Sequence, residues 1–322
     1  MKFTRLGHSG AVVSRIAVGT MNFGPVIGAE ESFRILDGAV DAGITFVDSA
    51  DVYGSGPWGD HYGQSEELLG EWMRARANRD SLVLATKVQG PMGDGPNDRG
   101  LSAVHIRAAV DASLRRLGTD RIDLYQMHHI EREVPIDEVL DAFTTLRDQG
   151  KILYLGSSNF AGWNIAQYRE HAEARRQLPI VTEQSVYNLA QRTVELEVVP
   201  AARHYGMGIL PWSPLASGQL GGVLRKADRS RSSDLSALGS RRAQIEEYER
   251  FAERNGFDPA ELALAWLLHQ PAVTAPVIGP RTERQLTGAV AALDIVLDDG
   301  QLAELDRIWP GPGGQAPEAY AW

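Results

Sequence analysis

The chain has 322 residues, which is enough for one large α/β domain or two smaller domains with a sizeable core. Its formal net charge of −10 argues against broad binding to nucleic acids or to anionic membranes, although a local anion site remains open. The absence of cysteine excludes disulfides, thiol nucleophiles and thiolate metal sites, and the N-terminal residues lack the apolar core of a signal peptide, so we expect a cytoplasmic protein.

The first predicted elements are a β-hairpin, a strand and a helix. Residues 2–5 and 11–14 flank a Gly-His-Ser-Gly turn, which is typical of a hairpin. Residues 16–19 form a short apolar run, which predicts the first strand of the core. Residues 31–42 carry apolar side chains at helical spacing and stop before Gly43, which predicts a helix.

The alternation of strand and helix continues along the chain. Further strand-like runs lie at 45–48, 83–87, 122–128, 152–157, 181–185, 208–212 and 275–278. Amphipathic helical stretches lie between them, at 65–73, 104–117, 136–149, 163–176, 194–205 and 241–270. Strands that are each followed by a helix, at intervals of roughly 30 to 40 residues, are typical of right-handed βαβ units with parallel strands. We therefore predict an α/β fold, a closed (β/α)8 TIM barrel over residues 1–322, with an N-terminal β-hairpin and a C-terminal tail over the active rim.

In such a barrel the functional side chains lie at the C-terminal ends of the strands. The predicted strands end in residues that suit a site: Asp48, Lys87, His128, Ser158 with Asn159, Gln184, Trp212 with Ser213, and Gly279 with Arg281. Tyr53 follows five residues after Asp48, in a turn closed by Gly54. We therefore expect these residues to converge on one rim of the barrel.

Three segments are less regular. Residues 89–100 and 216–240 both follow barrel strands, so we expect them on the active rim, the first as a substrate loop and the second as a lid. Plain disorder is the alternative for the second segment. The tail, residues 310–322, ends in Ala-Tyr-Ala-Trp, and we expect its two aromatic side chains to dock on the barrel.

A glycine-rich segment at residues 54–59 matches the G-x-G-x-x-G spacing of a Rossmann dinucleotide site. We reject that interpretation because Pro57 and Trp58 do not suit close packing against a pyrophosphate. The next helix is also expected only near Ser65, so no helix N-terminus opens at these glycines. The segment is better interpreted as a flexible loop beside Tyr53, with Trp58 in the wall of the substrate pocket.

Asp48, Tyr53, Lys87 and His128 form a set that suits proton transfer. A phenol has an ordinary pKa of about 10, so it donates near neutral pH only if its neighbours tune it. We expect the ammonium of Lys87 to lower the pKa of Tyr53, and Asp48 to keep Lys87 charged despite burial. A neutral His128 can hydrogen-bond a carbonyl oxygen. His129 is a further candidate for the substrate pocket, although strand alternation predicts that only one of the two histidines faces the lumen.

Two other chemistries bear on these residues. A catalytic metal is not expected, because the histidines lack H-E-x-x-H or related spacing and cysteine is absent. Lys87 could instead form a Schiff base with a carbonyl substrate. Its pairing with Asp48 argues mildly against that role, since a paired ammonium is a poor nucleophile.

Taken together, these residues resemble the aldo-keto reductase superfamily over nearly the whole chain. The matching motifs are Asp48-Ser-Ala-Asp-Val-Tyr53-Gly54, Ala85-Thr86-Lys87, the segment from Ser113 to His128, Gly156-Ser-Ser-Asn159-Phe and Pro211-Trp-Ser-Pro-Leu215. The resemblance implies a β/α barrel that reduces carbonyl groups with NAD(P)H. It also implies a catalytic tetrad of Asp48, Tyr53, Lys87 and His128, with Tyr53 as the proton donor.

The resemblance further implies a set of cofactor-binding residues: Thr20, Ser158, Asn159, Gln184, Trp212, Ser213, Leu215, Gly218, Leu220, Gly279, Arg281 and Gln285. Trp212 would stack on the nicotinamide ring, with packing in the barrel core as the alternative. Arg281 is the natural partner for a 2′-phosphate, which favours NADPH over NADH. Gly288 and Ala289 occupy the positions of a Glu-Asn pair that contacts adenine in many members of the superfamily.

Within the superfamily, the chain is similar to the branch that holds potassium-channel β subunits and bacterial sugar reductases. The His128-His129-Ile130 segment, residues 150–163 and the Ala-Pro-Glu-Ala-Tyr-Ala-Trp ending resemble reductases of nucleotide-linked keto-deoxysugars. The resemblance implies a small-molecule carbonyl substrate, and small aldehydes, aryl ketones and nucleotide-linked keto-deoxysugars all stay open. A nucleotide-binding regulatory subunit with weak activity is an alternative of another class. We expect neither a nucleic-acid partner nor a membrane partner, and the sequence does not specify the oligomeric state.

Overall fold

The structure, a computed structural model of the chain, describes residues 1–54, 60–227, 239 and 241–321. An antiparallel hairpin of β1 (Phe3–Arg5) and β2 (Val12–Ser14) comes first, as predicted. The barrel strands follow as β3 (Ala17–Gly19), β4 (Phe46–Asp48), β5 (Val83–Val88), β6 (Ile122–Met127), β7 (Ile152–Ser158), β8 (Ile180–Gln184), β9 (Gly208–Ile209) and β10 (Val277–Ile278). Within the described ranges they form one parallel sheet in the order β10-β3-β4-β5-β6-β7-β8-β9.

Main-chain hydrogen bonds close this sheet into a barrel. The amide of Thr274 donates to the carbonyl of Ile209 at 2.8 Å, and the amide of Val277 donates to the carbonyl of Pro211 at 2.8 Å. These bonds join the segment of β9 to the segment of β10, which in turn pairs with β3. The predicted (β/α)8 barrel is therefore confirmed.

The helices follow the strands as α1 (Ala29–Asp41), α2 (Gln64–Arg76), α3 (Ala103–Leu117), α4 (Ile136–Asp148), α5 (Gly162–Arg175), α6 (Val198–His204), α7 (Val223–Ala227), α8 (Arg242–Arg254), α9 (Pro259–His269), α10 (Glu283–Ala291), α11 (Asp299–Ile308) and α12 (Glu318–Ala321). The single helix predicted over residues 241–270 is wrong, because α8 and α9 divide it. Gly256 adopts a left-handed φ of 74° after α8. Asp258 then caps α9 by accepting from the amide of Ala260 at 2.9 Å, and Pro259 stands in its first turn. Over the described part of the chain, no helix combines the length and apolarity needed to cross a membrane.

Side chains alternate along the strands between the barrel interior and the surrounding helix layer. On β4, Phe46 packs in an interior cluster with Ala85 and Leu124, whereas Val47 packs in the outer core. Leu6 from the hairpin joins the interior cluster, so the hairpin fills the N-terminal end of the barrel with apolar side chains. The polar strand ends are therefore left at the opposite, C-terminal end.

The predictions for two of the less regular segments, residues 89–100 and 216–240, fare differently in the structure. Residues 89–100 fold on themselves, with the amide of Met92 donating to the carbonyl of Asp98 at 2.8 Å. No residue of this segment lies in the pocket wall that the described residues form, so the structure does not support its prediction as a substrate loop. Residues 216–227 do contribute to that wall, whereas the predicted lid residues 228–238 and 240 lie outside the described residues.

The C-terminal tail contacts the segment that follows β8. The amide of Ala316 donates to the carbonyl of Leu196 at 2.9 Å, which holds the tail on the C-terminal side of the barrel. Tyr320 is 68% exposed, so the expectation that this aromatic side chain docks on the barrel is wrong. Trp322 lies outside the described residues.

Candidate active site

A pocket of about 1490 Å³ opens at the C-terminal ends of the barrel strands. At one end its wall contains Asp48, Tyr53 and His128. At the other end the wall contains Glu261 on α9 and Arg284 on α10. Pockets for small ligands usually measure about 300–1,000 Å³, so this pocket has room for a long ligand together with a second, small molecule.

Lys87 is the buried cation at the first end. The parallel pairing of β4 with β5 and the alternation of strand residues point Lys87 into the barrel, where its side chain is fully buried. Its ammonium donates to Asp48 Oδ2 at 2.6 Å, to the carbonyl of Ser49 at 2.8 Å and to Tyr53 Oη at 3.0 Å. All three hydrogens of the ammonium group are thus engaged.

Two amides hold the second oxygen of Asp48. Gln126 Nε2 donates to Asp48 Oδ1 at 2.9 Å, and Gln184 Nε2 donates to the same oxygen at 3.0 Å. Sequence analysis did not single out Gln126. It stands two residues before His128 on β6, and strand alternation is the signal that could have placed it inside the barrel. The carboxylate of Asp48 is therefore fixed from three directions.

The phenol of Tyr53 is protonated at neutral pH. Burial is the largest influence and raises the pKa of Tyr53, while the ammonium of Lys87 acts in the opposite direction and the carboxylate of Asp48 raises it further. The expectation of a lowered pKa is therefore wrong, because burial outweighs Lys87. Since an ammonium group only donates, Tyr53 Oη accepts from Lys87, and the proton of Tyr53 is free to point into the pocket.

Lys87 and His128 have charge states that suit proton transfer. Burial acts to lower the pKa of Lys87, but Asp48 and Tyr53 together raise it above its ordinary value, so the side chain stays charged. Burial, followed by the positive charge of Lys87, holds the pKa of His128 well below its ordinary value. The imidazole of His128 is therefore neutral at neutral pH, and one ring nitrogen can donate a hydrogen bond.

His128 and His129 both line the pocket, which corrects the expectation that only one of them faces the lumen. β6 ends at Met127, so strict strand alternation does not extend to these two residues. Their rings stack with a centroid distance of 5.3 Å, and the rings of His128 and Tyr53 meet edge to face at 6.0 Å. His129 is the more exposed of the two histidines and lies nearer the solvent.

Ser158, Asn159 and Trp212 form a polar shelf beside this set. Trp212 Nε1 donates to Asn159 Oδ1 at 3.1 Å. Asn159 Nδ2 donates to the carbonyl of His128 at 3.1 Å and to Ser158 Oγ at 3.0 Å. Trp212 is 38% exposed and lines the pocket, so the alternative of packing in the barrel core is excluded. The shelf therefore combines amide and hydroxyl groups with the flat face of an indole.

A buried carboxylate supports the polar shelf from behind. Glu183 accepts from Ser157 Oγ at 2.5 Å, from Ser185 Oγ at 2.6 Å and from the amide of Phe160 at 3.1 Å. Burial raises the pKa of Glu183 to about 7, although these donors act in the opposite direction. Phe160 directly follows Asn159, which adopts a left-handed φ of 59°. Glu183 therefore fixes the strained turn that presents Asn159.

The second end of the pocket lies at the start of α10. Thr282 caps this helix by accepting from the amide of Gln285 at 3.3 Å. Gln285 Oε1 accepts from the amide of Arg281 at 2.7 Å and fixes the loop before the helix. The side chains of Arg281 and Arg284 line the wall, and neither has an ion-pair partner among the described residues. Two guanidinium groups on one wall suit an anionic ligand.

Most of the predicted site residues lie in the pocket wall. They are Asp48, Tyr53, His128, His129, Ser158, Asn159, Gln184, Trp212, Ser213, Leu215, Gly218, Gly279, Arg281 and Gln285. Lys87 lies behind the wall and reaches it through Tyr53.

Besides Lys87, two predicted site residues within the described ranges, Thr20 and Leu220, are not in the pocket wall. The hydroxyl of Thr20 donates to Ser49 Oγ at 2.9 Å and is fully buried, and Leu220 is fully buried in the outer core. The described pocket wall therefore gives no support for their contact with a cofactor, which stays a prediction. Trp58 lies outside the described residues. Within the ranges that the structure describes, no three His, Asp or Glu side chains are arranged to hold a metal ion.

Comparison with known proteins gives one family match and several relatives over the whole chain. A family model described as "Aldo/keto reductase family" matches residues 15–310. The uncharacterized oxidoreductase YrpG of Bacillus subtilis (strain 168) is 47% identical over 331 residues, which cover 100% of both chains. The versiconal hemiacetal acetate reductase of Aspergillus parasiticus is 31% identical over 340 residues, with 95% of this chain and 96% of the relative covered. A probable voltage-gated potassium channel subunit beta of Oryza sativa subsp. japonica is 33% identical over 321 residues, which cover 92% of each chain.

Proposed function

The chain belongs to the aldo/keto reductase family and is an NAD(P)H-dependent oxidoreductase, and on that premise we propose that it reduces a small aldehyde or ketone to an alcohol, with NADPH as cofactor and Tyr53 as proton donor. One observation carries the proposal. The buried ammonium of Lys87 lies 2.6 Å from Asp48 and 3.0 Å from the hydroxyl of Tyr53, which itself lines the pocket. This is the arrangement that an acid needs to protonate a bound oxygen atom.

The pocket fits a nicotinamide dinucleotide at both ends. Ser158, Asn159 and Gln184 offer donors and acceptors to a carboxamide, next to the exposed face of Trp212. At the other end the guanidinium group of Arg281 suits a phosphate, and this supports NADPH over NADH. When it is bound, the reduced nicotinamide supplies the hydride that the carbonyl carbon receives.

The protein side chains then supply the proton and stabilise the charge. Tyr53 donates its proton to the carbonyl oxygen, on which negative charge develops during the reaction. The ammonium of Lys87 stabilises the tyrosinate that this step leaves, and Asp48 keeps the ammonium charged and in place. The neutral imidazole of His128 donates a hydrogen bond to the same carbonyl oxygen and orients the substrate.

The same contacts weigh against Lys87 as a Schiff-base nucleophile. An amine attacks a carbonyl carbon only in its unprotonated form, and the pKa of Lys87 is raised above its ordinary value. All its hydrogens are engaged by Asp48, Ser49 and Tyr53, and its side chain is fully buried. We therefore retain reduction rather than a lyase reaction.

Small aldehydes and ketones are the substrates we propose. A nucleotide-linked keto-deoxysugar would need a roomy, polar pocket, and neither residues 89–100 nor the C-terminal tail lines the described pocket wall. We also propose that residues 1–322 act as one domain in the cytoplasm. The family match over residues 15–310 supports one domain, and a sequence without cysteine suits a reducing compartment.

Nucleotide titration followed by a carbonyl panel tests this function. The purified protein is titrated with NADPH and with NADH while nicotinamide fluorescence is followed, and aldehydes and ketones are then added to the complex. We expect tighter binding of NADPH, and a loss of reduced-nicotinamide absorbance with carbonyls but not with the matched alcohols. Binding without turnover on any carbonyl would favour the regulatory alternative, and no binding of either nucleotide would overturn the proposal.

A further inference from the structure

The far end of the pocket is a slot between α9 and α10. α9 contributes Glu261 and Leu264 to its wall, and α10 contributes Gly288 and Ala289. A Cβ atom added at Gly288 would lie 3.3 Å from Glu261 Oε1, so the carboxylate occupies the space that a side chain at position 288 would take. Leu264 and Ala289 are almost completely buried and give the slot apolar surface. A flat, largely apolar ring with a polar edge suits such a slot.

Glu261 differs from the other carboxylates of the pocket wall. Asp48 binds Lys87, and Asp258 caps α9 through the amide of Ala260. Glu261 has no hydrogen-bond or ion-pair partner within the described ranges. Burial raises its pKa, and the like charge of Asp258 raises it further. A hydrogen-bond donor that a ligand places against Glu261 would therefore stabilise the charged carboxylate, which burial and Asp258 disfavour.

The identity of the donor follows from how a dinucleotide must lie. If the nicotinamide lies at Tyr53, the purine is carried to the opposite end of the pocket, beyond the guanidinium groups of Arg281 and Arg284. The exocyclic amine of adenine is a strong donor on the edge of a flat aromatic ring, whereas the ribose ring is not aromatic and a phosphate group has no ring. The carboxylate of Glu261 is the complementary acceptor.

We propose that Glu261 is a specificity-determining residue that reads the purine of the bound cofactor, its carboxylate accepting a hydrogen bond from the exocyclic amine of adenine. This inference rests on the proposed function, because it requires a nicotinamide dinucleotide in the pocket. It also suits Gly288, since the acceptor comes from α9 and a side chain at position 288 of α10 would crowd it.

The test compares NADPH with its deamino analogue, in which hypoxanthine replaces adenine and an oxygen replaces the amine. A hydrogen bond to a charged group is worth about 1.5–3 kcal/mol, so the wild-type protein should bind the analogue at least about tenfold more weakly. In Glu261→Gln the side-chain amide both donates and accepts, so the two affinities should agree within about threefold. Glu253→Gln, at an exposed position on α8, is the matched control and should keep the wild-type ratio.

Each outcome of the fluorescence titrations decides a separate point. A tenfold preference in the wild type that is lost in Glu261→Gln supports the proposal. Equal binding of both nucleotides by the wild type overturns it, and so does a preference that survives in Glu261→Gln. If the wild type binds neither nucleotide, the proposed function itself fails, and the inference about Glu261 fails with it.

Discussion

Replacement of Glu183 by glutamine should change how the stability of the protein depends on pH. The side chain is fully buried, and burial raises its pKa from the ordinary 4.5 to about 7. The folded protein therefore binds this proton more tightly than the unfolded chain, so the free energy of unfolding falls as the pH rises from about 4.5 to about 7. At about 1.4 kcal/mol per pH unit, the loss amounts to about 3 kcal/mol.

Glutamine is a suitable replacement because it keeps the shape and does not titrate. Its amide oxygen can accept from Ser185, and its amide nitrogen can donate to Ser157, whose hydroxyl still reaches the carbonyl of Thr182 at 3.2 Å. Urea unfolding of both proteins measures the difference in unfolding free energy, wild type minus Glu183→Gln, across this pH range. That difference should fall by about 3 kcal/mol as the pH rises. Glu253→Gln, exposed on α8, controls for the loss of a glutamate. A difference that is constant with pH, or that rises with pH, would refute the argument.

Three further predictions concern the pocket. Lys87→Met leaves Asp48 without its buried counter-charge and should lower the free energy of unfolding by about 3–5 kcal/mol. An unchanged midpoint of urea unfolding would count against the ion pair. The pKa of His128 lies well below its ordinary value of 6.5, so His128 should not titrate near pH 6.5 in the pH profile of carbonyl reduction. An inflection near pH 6.5 that is present in the wild type and absent in His128→Gln would contradict a neutral imidazole. Arg281→Ala should weaken NADPH binding about tenfold more than NADH binding, since a charged hydrogen bond is worth about 1.5–3 kcal/mol. If fluorescence titrations show equal losses of affinity for both nucleotides, Arg281 does not bind the 2′-phosphate.

The positions of the polar strand ends could be predicted because local rules determine them. Asp48 and Lys87 each end or nearly end an apolar run, and parallel strands bring such ends to one rim. Period-two alternation then decides which residues point inward. The same rule, applied to β6, would have found Gln126 before the structure did.

Other features depend on packing that is not local in sequence. The sign of the pKa change at Tyr53 follows from complete burial, which outweighs the neighbouring ammonium, and no local pattern specifies that balance. His129 lines the pocket because β6 ends at Met127, one residue earlier than predicted. The pairing of Glu261 with Gly288 joins two helices whose spacing only the fold specifies. The division of residues 241–270, by contrast, could have been predicted from Gly256, Asp258 and Pro259, which separate α8 from α9.

The central claim is that Tyr53 gives the proton to the substrate, and Tyr53→Phe tests it most directly. The ring and its packing stay, and only the hydroxyl that lies 3.0 Å from Lys87 is removed. Single-turnover oxidation of bound NADPH by a carbonyl substrate is measured beside fluorescence titration of NADPH, with Tyr62→Phe at an exposed tyrosine as control. Loss of a general acid should slow the reaction by about 10²–10⁴-fold, while NADPH affinity should change by less than about twofold because no cofactor contact is lost. Reduction at the wild-type rate in Tyr53→Phe, with NADPH bound as tightly as before, would contradict the account.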